Sequence, residues 1–387
     1  MSVLPDHASQ GIGGQCDCLA RIGLKSQRHL GRRRLAEVGR GQRLDLLRQL
    51  AAGHAADVTA SAAKPAEVRA PDAAAWELAK NYHRENGGKA LVVMHAGKII
   101  FEDYANGGRA EKPEPIASGS KGFVGVAAIA AVEDGILRLD DPVCGAIEPW
   151  AGDPEKSKIT YRQLLTLTSG LQARAQGGGW KVPSWKEVVA FPLTGKPGAQ
   201  FVYGEAQMIA FAYALQQKLH GETFEAYLKR RVLDPIGIRA TWALKCADGR
   251  PQVAGGALIT ARDWVKYGEF VRLRGLCSGK QIIAARLFDE FSKTTEQNPA
   301  YGLAWWVPRQ RGEEDYAWLP EMIAARGAGD QRLFVIPPLE LVIARQASLD
   351  EAQKRRFDET NLLSLALRGK ADPSAGKRRS RGGLQLQ

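Results

Sequence analysis

The sequence predicts an α+β fold: a mostly antiparallel sheet flanked by helices, with a helical insertion. Three observations predict it. A hairpin pattern of apolar residues lies over 89–104, helical and loop-rich sequence fills 150–250, and strand-like apolar runs return at 331–336 and 340–345. Strands that are followed by helices, and then by strands with a closing helix, favour one sheet layered with helices.

The composition is that of a globular protein with a sizeable core. The chain has 387 residues, of which 44% are hydrophobic and 25% are charged. That length is enough for one large domain or two moderate ones. No uninterrupted apolar run reaches the roughly 18 residues of a membrane span, so none is predicted.

Positive charge is concentrated at the two ends of the chain. The net charge is +12; residues 1–70 hold 11 Lys/Arg against 6 Asp/Glu, and residues 369–387 hold 5 against 1. Neither end carries a nucleic-acid motif, so solvated tails are favoured over a nucleic-acid partner. We therefore expect a disordered extension over 1–72 and a disordered basic tail over 369–387.

Between these ends we expect one folded domain over 73–368. Its α/β part would comprise 73–150 and 250–368, and its helical part 150–250. Met1 is not followed by the apolar stretch of a signal peptide, which predicts a cytoplasmic protein if the chain starts as given.

No motif indicates a metal, a cofactor or a disulfide framework. There is no phosphate loop, dinucleotide fingerprint or HExxH sequence. The cysteines are odd in number and lack the spacing of a zinc or redox pair; they are Cys16, Cys18, Cys144, Cys246 and Cys277. We therefore predict a protein without a metal or a cofactor.

The first folded elements are predicted to be a helix and a hairpin. Residues 73–85 have helical periodicity, with Asp72 as the predicted cap. Two apolar runs, 90–94 and 98–104, flank a turn at Ala96-Gly97 and predict two paired strands.

A wholly apolar helix is predicted next. Residues 123–132 have no polar side chain, so this helix should be buried on every face. Ser118 is a suitable N-cap and Gly135 a suitable C-terminal stop. Ser118 and Lys121 are three residues apart, which places both side chains on one side of the helix start.

Caps, periodicity and apolar runs predict the remaining elements. Helices are predicted at 160–167 and 260–272, which Thr160 and Thr260 would cap, and at 184–191, 205–219, 224–232, 281–291 and 351–367. Strands are predicted at 301–307, 331–336 and 340–345.

Ser118 and Lys121 are also a candidate nucleophile pair. A serine hydroxyl becomes nucleophilic beside a base, and a lysine can be that base where burial and a positive field favour its neutral amine. A helix N-terminus provides such a field and also favours an oxyanion. The same spacing recurs at Ser61…Lys64 and Ser374…Lys377, but only Ser118 opens a buried helix. The alternative, an N-cap serine beside a solvated lysine, remains open on this stretch alone.

Several further segments form a set with Ser118 and Lys121. They are 117–121 (ASGSK), 139–143 (LDDPV), 159–171 (ITYRQLLTLTSGL), 197–205 (PGAQFVYGE), 233–237 (LDPIG), 255–263 (GGALITARD) and 301–306 (YGLAWW). Together they resemble the serine hydrolases of the penicillin-binding-protein and β-lactamase superfamily, especially class C-like esterases and amidases. The resemblance covers roughly 75–368 and implies the β-lactamase/transpeptidase-like fold.

The resemblance implies a role for each matching residue. Ser118 would be the acylated nucleophile, and Lys121 its base or proton relay. Tyr203 would be the partner base and the acid toward the leaving group, since a tyrosine beside an ammonium exchanges protons more readily. The backbone N–H groups of Ser118 and Ala328 would form the oxyanion hole.

Three positions depart from the family pattern. Glu205 stands where the Tyr-x-Asn motif has an asparagine that grips the substrate amide, and a carboxylate cannot donate a hydrogen bond. The third motif, Lys/His-Thr/Ser-Gly, falls on Ala325-Arg326-Gly327. The family lysine is therefore missing, unless Arg326 supplies the carboxylate anchor. Leu167 replaces a usual histidine, which we interpret as a structural change.

Other residues would complete a substrate site. Gly327 would leave room for substrate beside an edge strand. The tryptophans Trp180, Trp305 and Trp306 are candidates for the wall of an acyl pocket, with core packing as the alternative for each.

We therefore expect a serine acyl-transfer hydrolase that acts on a small ester or amide. One alternative within the fold is a D-Ala-D-Ala-type peptidase or a weak β-lactamase. Another is a catalytically impaired binding protein, because two of the motifs are degraded. The resemblance also implies a periplasmic or secreted protein if the true start differs from Met1.

Overall fold

The computed structural model describes residues 73–174, 182–308, 318, 321–350 and 356–373. The predicted extension over 1–72, with its proposed cap Asp72, lies outside these residues, as does the tail beyond 373. The domain limits at 73 and 368 stay a prediction. Along the described parts of the chain, no helix is both long and apolar enough to cross a bilayer.

The described chain contains runs of strands and a central run of helices. In order, the helices are α1 (Ala73–Glu85), α2 (Lys121–Glu133), α3 (Tyr161–Leu165), α4 (Trp185–Val189), α5 (Ala206–Lys218), α6 (Phe224–Leu228), α7 (Ala261–Arg272) and α8 (Glu359–Arg368). The strands are β1 (Gly88–His95), β2 (Lys98–Tyr104), β3 (Glu114–Pro115), β4 (Ala240–Trp242), β5 (Ala257–Ile259), β6 (Leu276–Cys277), β7 (Lys280–Gln281), β8 (Ile323–Gly327), β9 (Gln331–Ile336) and β10 (Leu341–Ala347).

The main sheet has five strands in the order β2-β1-β10-β9-β8, and every neighbouring pair is antiparallel. Helix α7 packs against β1, β9 and β10, while α1 packs against β1 and pairs with α8. Residues 91–94 of β1 are all buried. Successive strand side chains point to opposite faces, so both faces of the sheet are covered at its centre. The predicted α+β class is confirmed.

Helix α2 confirms the prediction of a buried apolar helix. Its residues from Lys121 to Ala131 are all buried. It ends at Gly135 (φ +71°): the N–H of Gly135 donates to the Val132 carbonyl and that of Ile136 to the Ala131 carbonyl. This double hydrogen bond satisfies carbonyls that would otherwise lack partners at the helix end.

The start of this helix differs from the prediction. Ser118 is not an N-cap; it lies in a 3₁₀ turn, Ala117–Ser120, and α2 begins only at Lys121. The Ser118 hydroxyl instead accepts a hydrogen bond from Lys121 Nζ. This hydrogen bond spans the turn, and no side-chain hydrogen bond caps α2.

Side-chain caps define several helix starts as predicted. Thr160 and Ser184 each form a capping box with a residue three positions later, Gln163 and Glu187 respectively. Thr260 accepts from the N–H of Asp263 and starts α7. Both boxes precede one-turn helices, so the sequence places these starts better than the ends.

Three later predictions were wrong. Residues 301–307 form no strand but a turn held by single bridges, with Ala304 at φ +63°. The predicted helix 281–291 is a 3₁₀ helix, Ala285–Ser292. The last helix begins at Glu359, where the Asp358 side chain caps it by accepting from two N–H groups. Residues 356–358 of the predicted helix are not helical, and its part over 351–355 lies outside the described residues. Strand β8 was not predicted, since its short sequence IAARG has little strand character.

A buried histidine links α1 to the sheet. His83 is fully buried, and neither ring nitrogen has a hydrogen-bond partner in the described structure. Gly88 lies so close that a Cβ there would be 2.2 Å from the ring. Burial, and then the charges of Arg345 and Arg84, hold the pKa of His83 well below its ordinary 6.5.

This pKa predicts an acid-sensitive fold. Below about pH 6.5 the unfolded chain protonates His83 and the folded chain does not, so the free energy of unfolding falls as the pH falls. Between pH 7.5 and 5.5 the loss from this residue should be about 1 kcal/mol. Urea denaturation of the wild type and His83→Leu at both pH values measures it: the variant should lose less stability. His220→Asn, at an exposed histidine, is the control. An equal loss in the wild type and His83→Leu would contradict the assignment.

Candidate active site

The turn that carries Ser118 is held by its neighbours. Ala117 has a left-handed backbone (φ +45°), which is strained for a residue other than glycine. The buried Ser120 hydroxyl donates to the Ala117 carbonyl (2.6 Å) and accepts from the N–H of Ala257 (3.1 Å). These contacts tie the turn to strand β5 and offset the strain, so Ser118 has a fixed position.

Lys121 lies directly beside Ser118. Its Nζ donates to Ser118 Oγ at 3.0 Å and to the Ala254 carbonyl at 3.1 Å. Only 3% of the residue is exposed. A buried amine is stable only with polar partners, and these two oxygens, with one aromatic ring, hold it in place.

That aromatic ring belongs to Tyr203. Lys121 Nζ lies 4.7 Å from the ring centroid, a cation–π contact. The half-buried Tyr203 also packs against Trp306 (ring centroids 5.6 Å apart) and Tyr301 (6.2 Å). The structure therefore brings together Ser118, Lys121 and Tyr203, as the sequence analysis predicted, although Tyr203 comes from a distant segment.

The backbone near Leu167 positions Tyr203. The N–H of Val202 donates to the Leu167 carbonyl (2.9 Å), and Leu167 is fully buried with φ +60°. Gln207 Nε2 donates to the Val202 carbonyl (3.1 Å). Leu167, which replaces the histidine of the resembled family, thus has a structural contact with the segment that carries Tyr203.

Tyr301 was not identified from the sequence as part of this site. It is buried, and its hydroxyl has no hydrogen-bond partner among the described residues. Burial, and then the nearby Tyr203, raise the pKa of Tyr301 well above 10. Tyr301 therefore stays a neutral phenol beside Tyr203. Its place in the YGLAWW segment was the available signal, but the sequence assigned it to a strand.

Strand β8 closes the site on the opposite side of the turn. A Cβ on Gly327 would lie 2.1 Å from the Ile116 carbonyl oxygen and 3.1 Å from the Gly119 nitrogen. Only glycine allows the strand to approach the turn this closely. The following residue, Ala328, was predicted to donate its N–H to an oxyanion together with Ser118; this pairing stays a prediction.

Arg326, on the same strand, forms an ion pair and an aromatic contact within the protein. Its Nη2 lies 2.5 Å from Glu359 Oε1, and its guanidinium stacks on Trp306 with Cζ 5.2 Å from the ring centroid. Glu359 also forms an ion pair with Arg332. The guanidinium predicted as a carboxylate anchor thus already contacts a carboxylate of the protein.

Glu205 is also paired. Its Oε2 lies 3.5 Å from Arg174 Nε, and both side chains are partly exposed. The intervening backbone is close-packed, since a Cβ on Gly204 would lie 2.5 Å from the Ala173 carbonyl oxygen. The carboxylate that replaces the family asparagine therefore has a cationic neighbour.

The three candidate tryptophans have different places. Trp306 is only 6% exposed and lies between Tyr203 and Arg326, so it supports the wall rather than forming its surface. Trp305 is a core residue against Tyr267 and Phe291. Trp180 lies outside the described residues. No group of three or more His, Cys, Asp or Glu suited to a metal occurs in the described ranges.

The chain is similar to known proteins over most of its length. The family model described as Beta-lactamase matches residues 68–367. An uncharacterized protein from Alkalihalophilus pseudofirmus is 25% identical over 290 residues, which cover 67% of this chain and 83% of that protein. A lovastatin esterase from Penicillium rubens is 27% identical over 151 residues, or 32% of this chain and 37% of the esterase.

A solved structure shares the fold. The D-stereospecific amidohydrolase from Streptomyces sp. matches with a TM-score of 0.62 at 17% identity, and the match covers 78% of this chain and 100% of that one. At this identity the likeness concerns the fold alone.

Gly327→Ala tests the contact between β8 and the turn. The added methyl group would meet backbone atoms that cannot rotate away, so the strand must shift. We expect the free energy of unfolding to fall by about 1–3 kcal/mol, as for other overpacked sites. Gly152→Ala is the matched control, since a Cβ there would meet nothing within 4 Å. Chemical denaturation of both variants measures the difference; equal stabilities would refute the close approach.

Proposed function

The chain belongs to the β-lactamase family, and on that premise we propose that it hydrolyses a small ester or amide through an acyl-enzyme on Ser118. The family is one of serine hydrolases. One observation carries the proposal: Lys121 Nζ lies 3.0 Å from Ser118 Oγ and 4.7 Å from the centre of the Tyr203 ring. A half-buried hydroxyl, a buried amine and a half-buried phenol thus meet at one point.

In the first step Ser118 Oγ attacks the substrate carbonyl carbon. With Lys121 Nζ donating to Oγ, the amine occupies a lone pair of the hydroxyl, and the hydroxyl proton needs another acceptor. Tyr203 is the proposed acceptor, because its phenol ring lies against the amine that binds Ser118 Oγ. The phenol so formed then protonates the leaving group, and the acyl group stays on Ser118.

Water completes the cycle. Tyr203, again a phenolate, takes a proton from water, and the hydroxide attacks the acyl carbon. The Ser118–acyl bond breaks, the acid leaves and Ser118 Oγ regains a proton. In both steps the N–H groups of Ser118 and Ala328 would stabilise the oxyanion, and the close contact of Gly327 with the turn supports this placement. One such donor contributes about a hundred- to a thousandfold in rate.

The substrate class is inferred from two positions at which this chain departs from the family motifs. A β-lactamase-like site would need a donor at position 205 and a cation at position 325. Glu205 can only accept hydrogen bonds and is paired with Arg174, while Ala325 has no charge. These residues favour a small ester or amide over a β-lactam or a D-Ala-D-Ala peptide.

Covalent labelling tests the proposal. A fluorophosphonate should label the wild type, and mass spectrometry of the intact protein should show one adduct. Ser118→Ala should not be labelled, whereas Tyr203→Phe should react about a hundredfold more slowly, the low end for general acid–base catalysis. Ser278→Ala, at an exposed serine between β6 and β7, is the control for loss of a serine hydroxyl and should still be labelled. Labelling of Ser118→Ala as fast as the wild type would refute the proposal in favour of a binding protein.

A further inference from the structure

We propose that Glu359 is a specificity-determining residue: it occupies the guanidinium of Arg326, so the site accepts acyl substrates that carry no carboxylate and disfavours those that do. The inference rests on the proposed function and refines its substrate class. An ion pair joins strand β8 of the site to helix α8, which lies outside the motifs of the resembled family.

Arg326 is in the right place to bind an anion. It directly precedes Gly327, which contacts the turn of Ser118. Its guanidinium lies on Trp306, and Trp306 in turn packs on Tyr203. A guanidinium that one ring separates from Tyr203 would normally attract a substrate carboxylate, because it can form two parallel hydrogen bonds with it.

A carboxylate of the protein takes that position. Arg326 Nη2 is 2.5 Å from Glu359 Oε1, and the two side chains are only 16% and 13% exposed. The second oxygen of Glu359 binds Arg332 Nε, whose side chain is also buried. Each oxygen of the carboxylate therefore has its own guanidinium.

The helix start that carries Glu359 is also held in place. Glu359 is the first residue of α8, and the Asp358 side chain caps this helix through the N–H groups of Thr360 and Asn361. The backbone of Glu359 is therefore fixed, and the two guanidinium groups hold its carboxylate. Ion pairs shielded from water are also screened little by salt.

A substrate carboxylate would have to displace Glu359. The displaced side chain would then lose the Arg326 guanidinium in a poorly hydrated place, which is unfavourable. Lys121 offers no substitute, since its amine contacts Ser118 Oγ, the Ala254 carbonyl and the ring of Tyr203. An uncharged substrate has no such competition, so the site should prefer it.

Two matched ester pairs test the inference. One places the carboxylate on the leaving group (4-acetoxybenzoate against its methyl ester). The other places it on the acyl chain (the mono-p-nitrophenyl ester of adipic acid against p-nitrophenyl hexanoate). In the wild type, kcat/KM should favour the neutral ester of each pair by about tenfold or more. Glu359→Gln should reduce this preference about fivefold or more in at least one pair, by raising kcat/KM of the anionic ester.

Controls separate charge from structure. Glu111→Gln removes the same charge at an exposed position and should keep the wild-type preference. Adding Arg326→Met to Glu359→Gln should cancel the gain for the anionic ester, because that gain needs the freed guanidinium; turnover of the neutral ester by both variants shows that they fold. A gain that persists without Arg326, or equal use of both esters by the wild type, would overturn the inference alone. No turnover of any ester, together with no fluorophosphonate labelling, would overturn the proposed function.

Discussion

The position of the Lys121 amine is the constraint on which the rest of the site depends. Nζ is buried and contacts Ser118 Oγ, the Ala254 carbonyl oxygen and the Tyr203 ring. A buried amine without such contacts would be strongly unfavourable, so its position determines where these groups can lie. They come from separate parts of the chain, and the site is complete only when the fold is complete.

Helix α2 provides this position because it is packed on all sides. A Cβ on Gly122 would lie 3.1 Å from the Trp305 ring, and one on Gly125 would lie 2.8 Å from the Leu303 carbonyl oxygen. The small residues of the helix thus let 303–305 approach its backbone. The same segment leads to Trp306, which supports Tyr203. Core packing and the geometry of the proposed catalytic residues are therefore coupled.

The sequence was most informative where the signal was local. The apolar run 123–132 and the caps Thr160 and Thr260 depend on neighbouring residues, and they were predicted correctly. The prediction that Ser118 caps the helix was wrong. Its hydroxyl accepts a hydrogen bond from Lys121 instead, and that bond depends on how both side chains pack. The pair between Arg326 and Glu359 joins residues on different elements, and no local pattern reveals it.

The central claim is that Ser118 carries the acyl group during turnover. It is tested most directly by quenching the reaction with a p-nitrophenyl ester in acid during the steady state and sequencing the peptides by mass spectrometry. The peptide that contains Ser118 should be heavier by one acyl group, and the adduct should disappear once the ester is consumed. Turnover without an adduct on Ser118, or with the acyl group on another residue, would contradict the account.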